Sequence, residues 1–312
     1  MKFELTILGC NSAIPAYNRF PTSQVLRVGH RLYLIDCGEG AQIRMGELAV
    51  RKNKINQIFI SHLHGDHIFG LIGLLTSYSL GGREKPMDIF SPKGLKELIE
   101  VQIKYSESHL SYPLRFHEVD TNISKLIFED GFIEVVSIPL IHRIPTTGYL
   151  FREKKPLLNI RPKQIKKYKL TVEQIVEIKN GADFINPEGV TIPNRELVLP
   201  PLLPRAYAYC SDTQYNESII PIIRHADLLY HETTFLQDKL EQAKMTMHST
   251  TVDAATIAKA AEVGQLITGH YSSRYEDLTM FEKETQAIFA NTVIGMDGAK
   301  YEVLQKRGSA HT

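Results

Sequence analysis

Residues 62–67 carry three imidazoles and one carboxylate within six positions. His62, His64, Asp66 and His67 form the pattern H-x-H-x-D-H. Neutral imidazole and carboxylate groups suit zinc, and two ligand sets this close together favour two metal ions over one. The alternative is a polar turn in which the histidines only satisfy hydrogen bonds, but packing alone does not account for this density of ligand types.

The pattern lies where a strand is expected to give way to a helix. Residues 57–61 are apolar and β-branched and predict a strand, whereas residues 68–75 are apolar and predict a helix start. Open α/β sheets place their sites at the carboxyl ends of strands. We expect Gly65 to allow a tight backbone fold here, so that the side chains on both sides of it converge.

The H-x-H-x-D-H string resembles the metallo-β-lactamase superfamily, in which the remaining metal ligands are distant in sequence. Three single residues occur in the order that this resemblance implies, each after an apolar, strand-like run: His142, Asp212 and His270. Each residue alone is more typical of a polar position at the edge of a core. Together with the first cluster they complete a two-metal ligand set.

Further motifs resemble the ribonuclease Z family within that superfamily. They are D-C-G-E-G at 36–40, H-E-T-T-F at 231–235, H-S-T at 248–250 and H-Y-S-S-R-Y at 270–275. The resemblance extends from the first strand to about residue 275. Two features depart from the family: Phe20 stands where asparagine is common, and the glycine- and proline-rich motif of the RNA-binding exosite is missing.

The resemblance implies a zinc-dependent endoribonuclease that removes the 3′ trailer from precursor tRNA. The tRNA would keep a 3′-hydroxyl and the trailer would carry a 5′-phosphate. Two zinc ions per subunit are implied, one held by His62, His64 and His142, the other by Asp66, His67 and His270, with Asp212 bridging. The resemblance also implies a homodimer in which the arm of one subunit holds RNA for the active site of the other.

Three residues are expected to take part in catalysis. Asp66 is positioned to orient the attacking hydroxide, because a carboxylate beside a metal can accept its hydrogen bond. His248 has no ligand assignment and is expected to act as general acid on the departing 3′-oxygen, with Glu232 holding it protonated. The remaining histidines are expected to be ordinary surface or packing residues: His30, His109, His117, His225 and His311.

A basic block separates the two halves of the chain. Residues 151–180 contain nine Lys and Arg against three Glu, a net charge of +6 in a protein whose total is +1. Such a block is typical of phosphate-backbone binding, although a solvated surface hairpin is the alternative. The expected RNA-binding residues are Lys154, Lys155, Arg161, Lys163, Lys166, Lys167 and Lys169.

The surrounding pattern predicts the fold class. Strands are expected at 3–8, 25–28, 32–35, 206–210, 228–230, 266–268 and 300–304, and helices at 92–104 and 251–263. This alternation predicts an α/β protein, an αββα sandwich of two mixed β-sheets flanked by helices. Residues 1–312 would form one metallo-β-lactamase-like domain, with 151–204 inserted as a projecting basic arm, because that segment is charge-rich and ends in prolines.

Composition limits the possible classes. The chain is 43% hydrophobic and 23% charged, as is typical of soluble globular proteins, and its longest apolar run is too short to span a bilayer. Three widely spaced cysteines without a C-x-x-C pattern fit reduced thiols, and no signal peptide is evident, so we expect a cytoplasmic protein.

Two other functions remain open from the residues. One is a small-molecule hydrolase of the same fold, acting on a phosphodiester, a thioester or a lactam, which would not explain the basic arm or the H-E-x-T-F and H-S-T motifs. The other is a metal-stabilised RNA-binding module without turnover, against which the unassigned His248 argues.

Overall fold

The computed structural model describes residues 1–308, so His311 lies outside the described residues. The chain divides into two compact units. The larger unit is Met1–Phe151 with Ala206–Val303, and the smaller is Arg152–Arg205 with the described residues 304–308.

The described part of the chain contains sixteen strands and eleven α-helices. The strands are β1 Phe3–Gly9, β2 Ser23–Val28, β3 Arg31–Cys37, β4 Ile55–Phe59, β5 Met87–Ser91, β6 Leu114–Glu118, β7 Leu126–Glu129, β8 Ile133–Pro139, β9 Thr147–Glu153, β10 Phe184–Ile185, β11 Thr191–Ile192, β12 Ala206–Cys210, β13 Leu228–Glu232, β14 Gln265–Gly269, β15 Thr292–Ile294 and β16 Lys300–Glu302. The helices are α1 Ala41–Glu47, α2 Gly65–Ile68, α3 Leu71–Leu80, α4 Leu95–Tyr105, α5 Pro162–Tyr168, α6 Val172–Lys179, α7 Asn194–Leu197, α8 Ile220–Ile223, α9 Leu240–Thr246, α10 Thr251–Ala260 and α11 Thr279–Ile288. Among the residues that the structure describes, no helix has the length and apolarity needed to cross a membrane.

Two seven-stranded sheets form the centre of the larger unit. Their strand orders are β16-β1-β2-β3-β4-β5-β6 and β15-β14-β13-β12-β9-β8-β7. Both sheets are mixed: β3 to β6 and β12 to β15 pair in parallel, whereas β1 with β2 and β7 with β8 pair antiparallel.

The apolar core between the sheets explains why they pack face to face. Alternate strand residues on the inner faces are buried, and the ring of Phe59 lies 5.4 Å from that of Tyr149 and 5.1 Å from that of Phe151. The outer faces are covered by α1, α3 and α4 on one side and by α8 and α10 on the other. The predicted αββα sandwich is therefore confirmed.

Helix boundaries were predicted less well. The apolar run after the histidine motif forms two helices, α2 and α3, because the chain turns at Phe69 and Gly70, where a Cβ on Gly70 would lie 2.2 Å from the carbonyl oxygen of Gly38. Helix α4 begins at Leu95 and not at Pro92, because Gly94 adopts a left-handed φ of 105° that a helix cannot include.

The smaller unit has an apolar core of its own, which its charge- and proline-rich composition did not predict. Six buried residues form this core: Ile160, Leu170, Ile178, Phe184, Leu197 and Val198. Helix α6 is capped by reciprocal hydrogen bonds between Thr171 and Gln174, and the buried guanidinium of Arg205 donates to the carboxylate of Glu153 at 2.7 and 2.8 Å. These contacts show that the segment folds as a small packed unit.

Candidate metal centre and catalytic site

Strand ends bring the candidate ligands together. His62 and His64 follow β4, His142 follows β8, Asp212 follows β12 and His270 follows β14. Because β12, β13 and β14 are parallel neighbours, their carboxyl ends lie side by side at one edge of the sheet.

The first group of donors consists of His62, His64, His142 and Asp212, whose ligand atoms all lie within 4.8 Å of one another. Nδ1 of His64 is 2.9 Å from Nε2 of His62 and 3.3 Å from Nε2 of His142. Oδ2 of Asp212 lies 3.5 Å from Nε2 of His62 and 3.7 Å from Nε2 of His142.

The second group consists of Asp66, His67 and His270. The other carboxylate oxygen of Asp212, Oδ1, faces this group at 3.1 Å from Nε2 of His67 and 3.0 Å from Nε2 of His270. Oδ2 of Asp66 lies 3.5 Å from both imidazole nitrogens and accepts a hydrogen bond from the backbone N–H of Ala13 at 2.8 Å. Asp212 thus presents one oxygen to each group.

Hydrogen bonds on the far side of the rings determine which nitrogens face the centre of the first group. Nδ1 of His142 lies 2.9 Å from the carbonyl oxygen of Met247 and therefore donates to it. The hydroxyl of Ser61 donates to Asp36, so it accepts from Nδ1 of His62 at 3.0 Å. Both histidines consequently direct an unprotonated Nε2 towards Nδ1 of His64.

The second group has the same arrangement. Nδ1 of His67 donates to Oδ2 of Asp36 at 2.7 Å. Nδ1 of His270 lies 2.9 Å from the hydroxyl of Thr234, which itself donates to the carboxylate of Glu232. His67 and His270 therefore direct Nε2 towards the carboxylates, and Nε2 is the nitrogen through which each ring could bind a metal ion.

The electrostatics also favour positive charge in the centre. Burial opposes ionisation of Asp66 and Asp212, yet the neighbouring imidazoles outweigh it, chiefly His67 for the first and His270 for the second, and hold the pKa of both carboxyls well below its usual value. The buried His67 is surrounded by carboxylates that raise its pKa well above the usual value despite its burial. The imidazole and carboxylate donors therefore fit divalent metal ions of the zinc type.

Three residues of the site have a backbone conformation that is unusual for residues other than glycine. Asp36, Asp212 and His270 have φ values of 52°, 48° and 58°. Each lies at the last residues of a strand or directly after it, where the left-handed turn changes the direction of the chain and points the side chain into the site.

The half-buried His248 pairs with the buried Glu232 beside the candidate metal ligands. Nδ1 of His248 lies 2.8 Å from Oε1 of Glu232, and the same carboxylate accepts the backbone N–H of Thr213 at 2.8 Å. Burial lowers the pKa of His248, but the charge of Glu232 and its hydrogen bond outweigh this and raise the pKa to about 9. The rings of His248 and His270 lie 5.4 Å apart.

His248 also belongs to a third group of possible donors, with Asp212 and His270. A protonated imidazole cannot bind a metal, and Glu232 favours the protonated form. The structure therefore brings His248 close enough for either task, while its partner favours proton donation.

Several residues of the site were not singled out from sequence. Asp36, Ser61 and Thr234 hold the far side of the ligand rings, and Met247 does so through its carbonyl group. The only sequence signal for them is that Asp36 and Thr234 lie within the motifs quoted above.

Gly65 is the first residue of α2, and its backbone is not left-handed. A Cβ on Gly65 would lie 2.1 Å from the ring of Phe69, so a larger residue at this position needs that ring to move. Arg143, directly after the candidate ligand His142, was also missed: it is exposed and lines the same cleft as Asp66 and His248.

The seven basic residues predicted to bind RNA all belong to the smaller unit. Lys155, Arg161, Lys163, Lys166, Lys167 and Lys169 are exposed, and Lys154 is half-buried. The guanidinium of Arg161 donates to the carbonyl oxygen of Val198 at 2.8 Å, and Nζ of Lys167 lies 4.7 Å from the ring centre of Tyr168.

Comparison of the fold with solved structures supports a metallo-β-lactamase type of protein. The short form of human tRNase Z matches with a TM-score of 0.71 and 26% identity, covering 96% of this chain and 98% of that one. The metallo-β-lactamase fold protein YhfI from Bacillus subtilis matches with a TM-score of 0.68 at 19% identity, covering 97% of this chain and all of that one, and supports the fold alone.

Comparison of sequences is more specific. A family model described as "Anti-Pycsar protein Apyc1" matches residues 3–126. Ribonuclease Z of Bacteroides thetaiotaomicron is 47% identical over 296 residues, covering 95% of this chain and 94% of that protein. Ribonuclease Z of Parabacteroides distasonis is 44% identical over 301 residues, covering 96% and 99%. With identity at this level over nearly the whole length, the chain belongs to the ribonuclease Z family of metallo-β-lactamase-fold proteins.

Proposed function

We propose that this chain is a zinc-dependent endoribonuclease that removes the 3′ trailer from precursor tRNA, leaving a 3′-hydroxyl on the tRNA and a 5′-phosphate on the trailer. The observation that carries the proposal is the position of Asp212, whose two carboxylate oxygens face two separate groups of metal-type donors. Membership of the ribonuclease Z family supports the choice of substrate.

The donor groups fit two zinc ions. His62, His64 and His142 would hold one ion, Asp66, His67 and His270 the other, with Asp212 shared between them. When bound, such a pair of ions lowers the pKa of water and neutralises charge on a phosphate. Asp66 has a second task, since it can accept a hydrogen bond from the attacking water and so orient it while Ala13 holds the carboxylate through its N–H.

The bond to the leaving group is broken with help from His248. Water attacks the phosphorus, the bond from phosphorus to the 3′-oxygen breaks, and a proton from Nε2 of His248 passes to that oxygen. Glu232 supports this role because it binds Nδ1 of the same ring and favours the protonated form. The products are then the 3′-hydroxyl and the 5′-phosphate.

The basic residues of the smaller unit would bind the phosphates of the tRNA: Lys154, Lys155, Arg161, Lys163, Lys166, Lys167 and Lys169. Their charge is the property that nucleic-acid backbones select. We further propose that the protein acts as a cytoplasmic homodimer, as the family resemblance implies.

The decisive experiment is incubation of the metal-loaded protein with a trailer-bearing precursor tRNA, with the cut and both new ends mapped. A single cut at the 3′ side of the tRNA, with a 3′-hydroxyl and a 5′-phosphate, is the expected result. An Asp212→Ala variant serves as the inactive control. Hydrolysis of small esters without any cleavage of precursor tRNA would instead favour a small-molecule hydrolase, which the 47% identity to a ribonuclease Z does not favour.

A further inference from the structure

A cleft of about 300 Å³ lies over the ligand cluster, and one of its walls is an aromatic ring. Its lining includes Asp66, Asp212 and His248, together with Phe69 and Arg143. Phe69 is 68% exposed, although phenylalanine is among the residues most often buried. What sets Phe69 apart from the other exposed apolar residues is its position in the cleft that also contains the candidate ligands.

The ring of Phe69 lies close to the first residue of α2. It rests against the backbone of Gly65, in space that a Cβ at that position would occupy, since the Cβ would lie 2.1 Å from Cε2 of the ring. The backbone N–H of Phe69 donates to the carbonyl oxygen of Gly65 at 2.8 Å. Phe69 also follows Asp66 by three residues in helical conformation, so both side chains lie on the same face of α2.

An exposed ring beside the proposed phosphate-cleaving centre suits one type of group in an RNA substrate, the flat face of a nucleobase. Stacking of bases on aromatic side chains is tolerant of sequence, because every base has such a face. The exposed cation of Arg143 in the same cleft is suited to the adjoining phosphate.

We propose that Phe69 stacks on a nucleobase that adjoins the scissile phosphate and so positions that phosphate over the ligand cluster. This inference rests on the proposed function, since it takes the substrate to be RNA. It makes Phe69 a substrate-binding residue that accepts any of the four bases, and glycine at position 65 leaves room for the ring where it lies.

The test compares loss of the ring with loss of the base. Three variants are used: Phe69→Ala removes the ring, Phe69→Leu fills the space over Gly65 without an aromatic face, and Phe69→Trp keeps an aromatic face. Each is assayed on precursor tRNA with all bases and on two versions that lack the base on one or the other side of the cut. Metal content and thermal midpoint are measured for every variant, so that damage to the neighbouring ligands is recognised.

The proposal expects Phe69→Ala and Phe69→Leu to lose roughly 5- to 150-fold in kcat/KM on the intact substrate, the usual scale for a stacked base, while Phe69→Trp keeps most activity. On one of the two abasic substrates the kcat/KM of the wild type should fall by a similar factor. On that substrate the kcat/KM of Phe69→Ala and Phe69→Leu should be little lower than on the intact substrate. The proposal would be overturned if removal of the ring and removal of the base lowered kcat/KM by independent factors on both abasic substrates. It would also be overturned by a Phe69→Leu variant as active as the wild type. Either result would leave the nuclease function standing. A wild-type protein that does not cut precursor tRNA at all would overturn both.

Discussion

Nδ1 of His67 lies 2.7 Å from a carboxylate oxygen of Asp36, at the side of the ring that faces away from the donor cluster. The same oxygen accepts hydrogen bonds from the hydroxyls of Ser61 and Tyr209, at 2.8 and 2.5 Å, and Asp36 is fully buried. Asp36 thereby fixes both the orientation and the tautomer of His67, and through Ser61 it also fixes His62.

Replacing Asp36 by asparagine should weaken metal binding although no proposed ligand is changed. Whichever way an amide is turned here, its NH2 opposes a donor, either Nδ1 of His67 or the backbone N–H of Ser61, so the support of His67 and His62 would be weakened. Loss of such a partner typically costs about 10- to 100-fold in metal affinity or activity. Metal titration of the Asp36→Asn protein measures this, with Tyr209→Phe as a control that removes one hydrogen bond to the same oxygen. Equal metal affinity in wild type and Asp36→Asn would contradict the role.

Elemental analysis of the purified protein should approach two zinc ions per chain, because Asp212 faces two donor groups. Asp212→Ala should lose most activity and at least one ion, since it removes a ligand from both groups at once. Full turnover after exhaustive chelation would be incompatible with a two-metal centre.

His248→Ala should keep both zinc ions while its turnover on precursor tRNA falls by about 10²-fold or more, the usual scale of general acid catalysis. On a substrate with a nitrophenolate leaving group, which needs no proton, most of that loss should disappear. Because His248 also lies near Asp212 and His270, the metal content of the variant decides between proton donation and metal binding. A loss of zinc in this variant would assign His248 to the ligands.

Charge reversal on α5 tests the smaller unit without disturbing its core. Lys163, Lys166 and Lys167 are exposed, so changing all three to glutamate should leave the fold and the zinc content intact. The KM for precursor tRNA should rise, and the log-log salt slope of RNA binding should become shallower by roughly one unit for each lysine that neutralises a phosphate in the wild type. The same change at Lys85, Lys259 and Lys283, three exposed positions of the larger unit, is the matched control. An unchanged KM and salt slope would make the basic block a solvated surface.

The sequence predicts those parts of the site whose residue types and short-range pattern along the chain already indicate their role. Three imidazoles and a carboxylate within six residues are recognised as candidate metal ligands by their type and spacing. Apolar runs locate the strands that precede His142 and His270. Asp36 and Thr234 could not be recognised in this way, because their role depends on hydrogen bonds to rings 31 and 36 positions away along the chain. The α4 boundary was misplaced for a similar reason, since the backbone angle of Gly94 is not visible in the hydrophobic pattern.

The left-handed backbone angles at Asp212 and His270 imply a conflict between folding and function at these two positions. Each such conformation costs on the order of 1–3 kcal/mol for a residue with a side chain, whereas glycine adopts it freely. We therefore expect the metal-free Asp212→Gly and His270→Gly proteins to unfold at higher temperatures than the corresponding alanine variants, and thermal unfolding of all four would measure the difference. If so, selection for the most stable metal-free chain would favour glycine at both positions, and the ligands would persist there only because activity is selected as well.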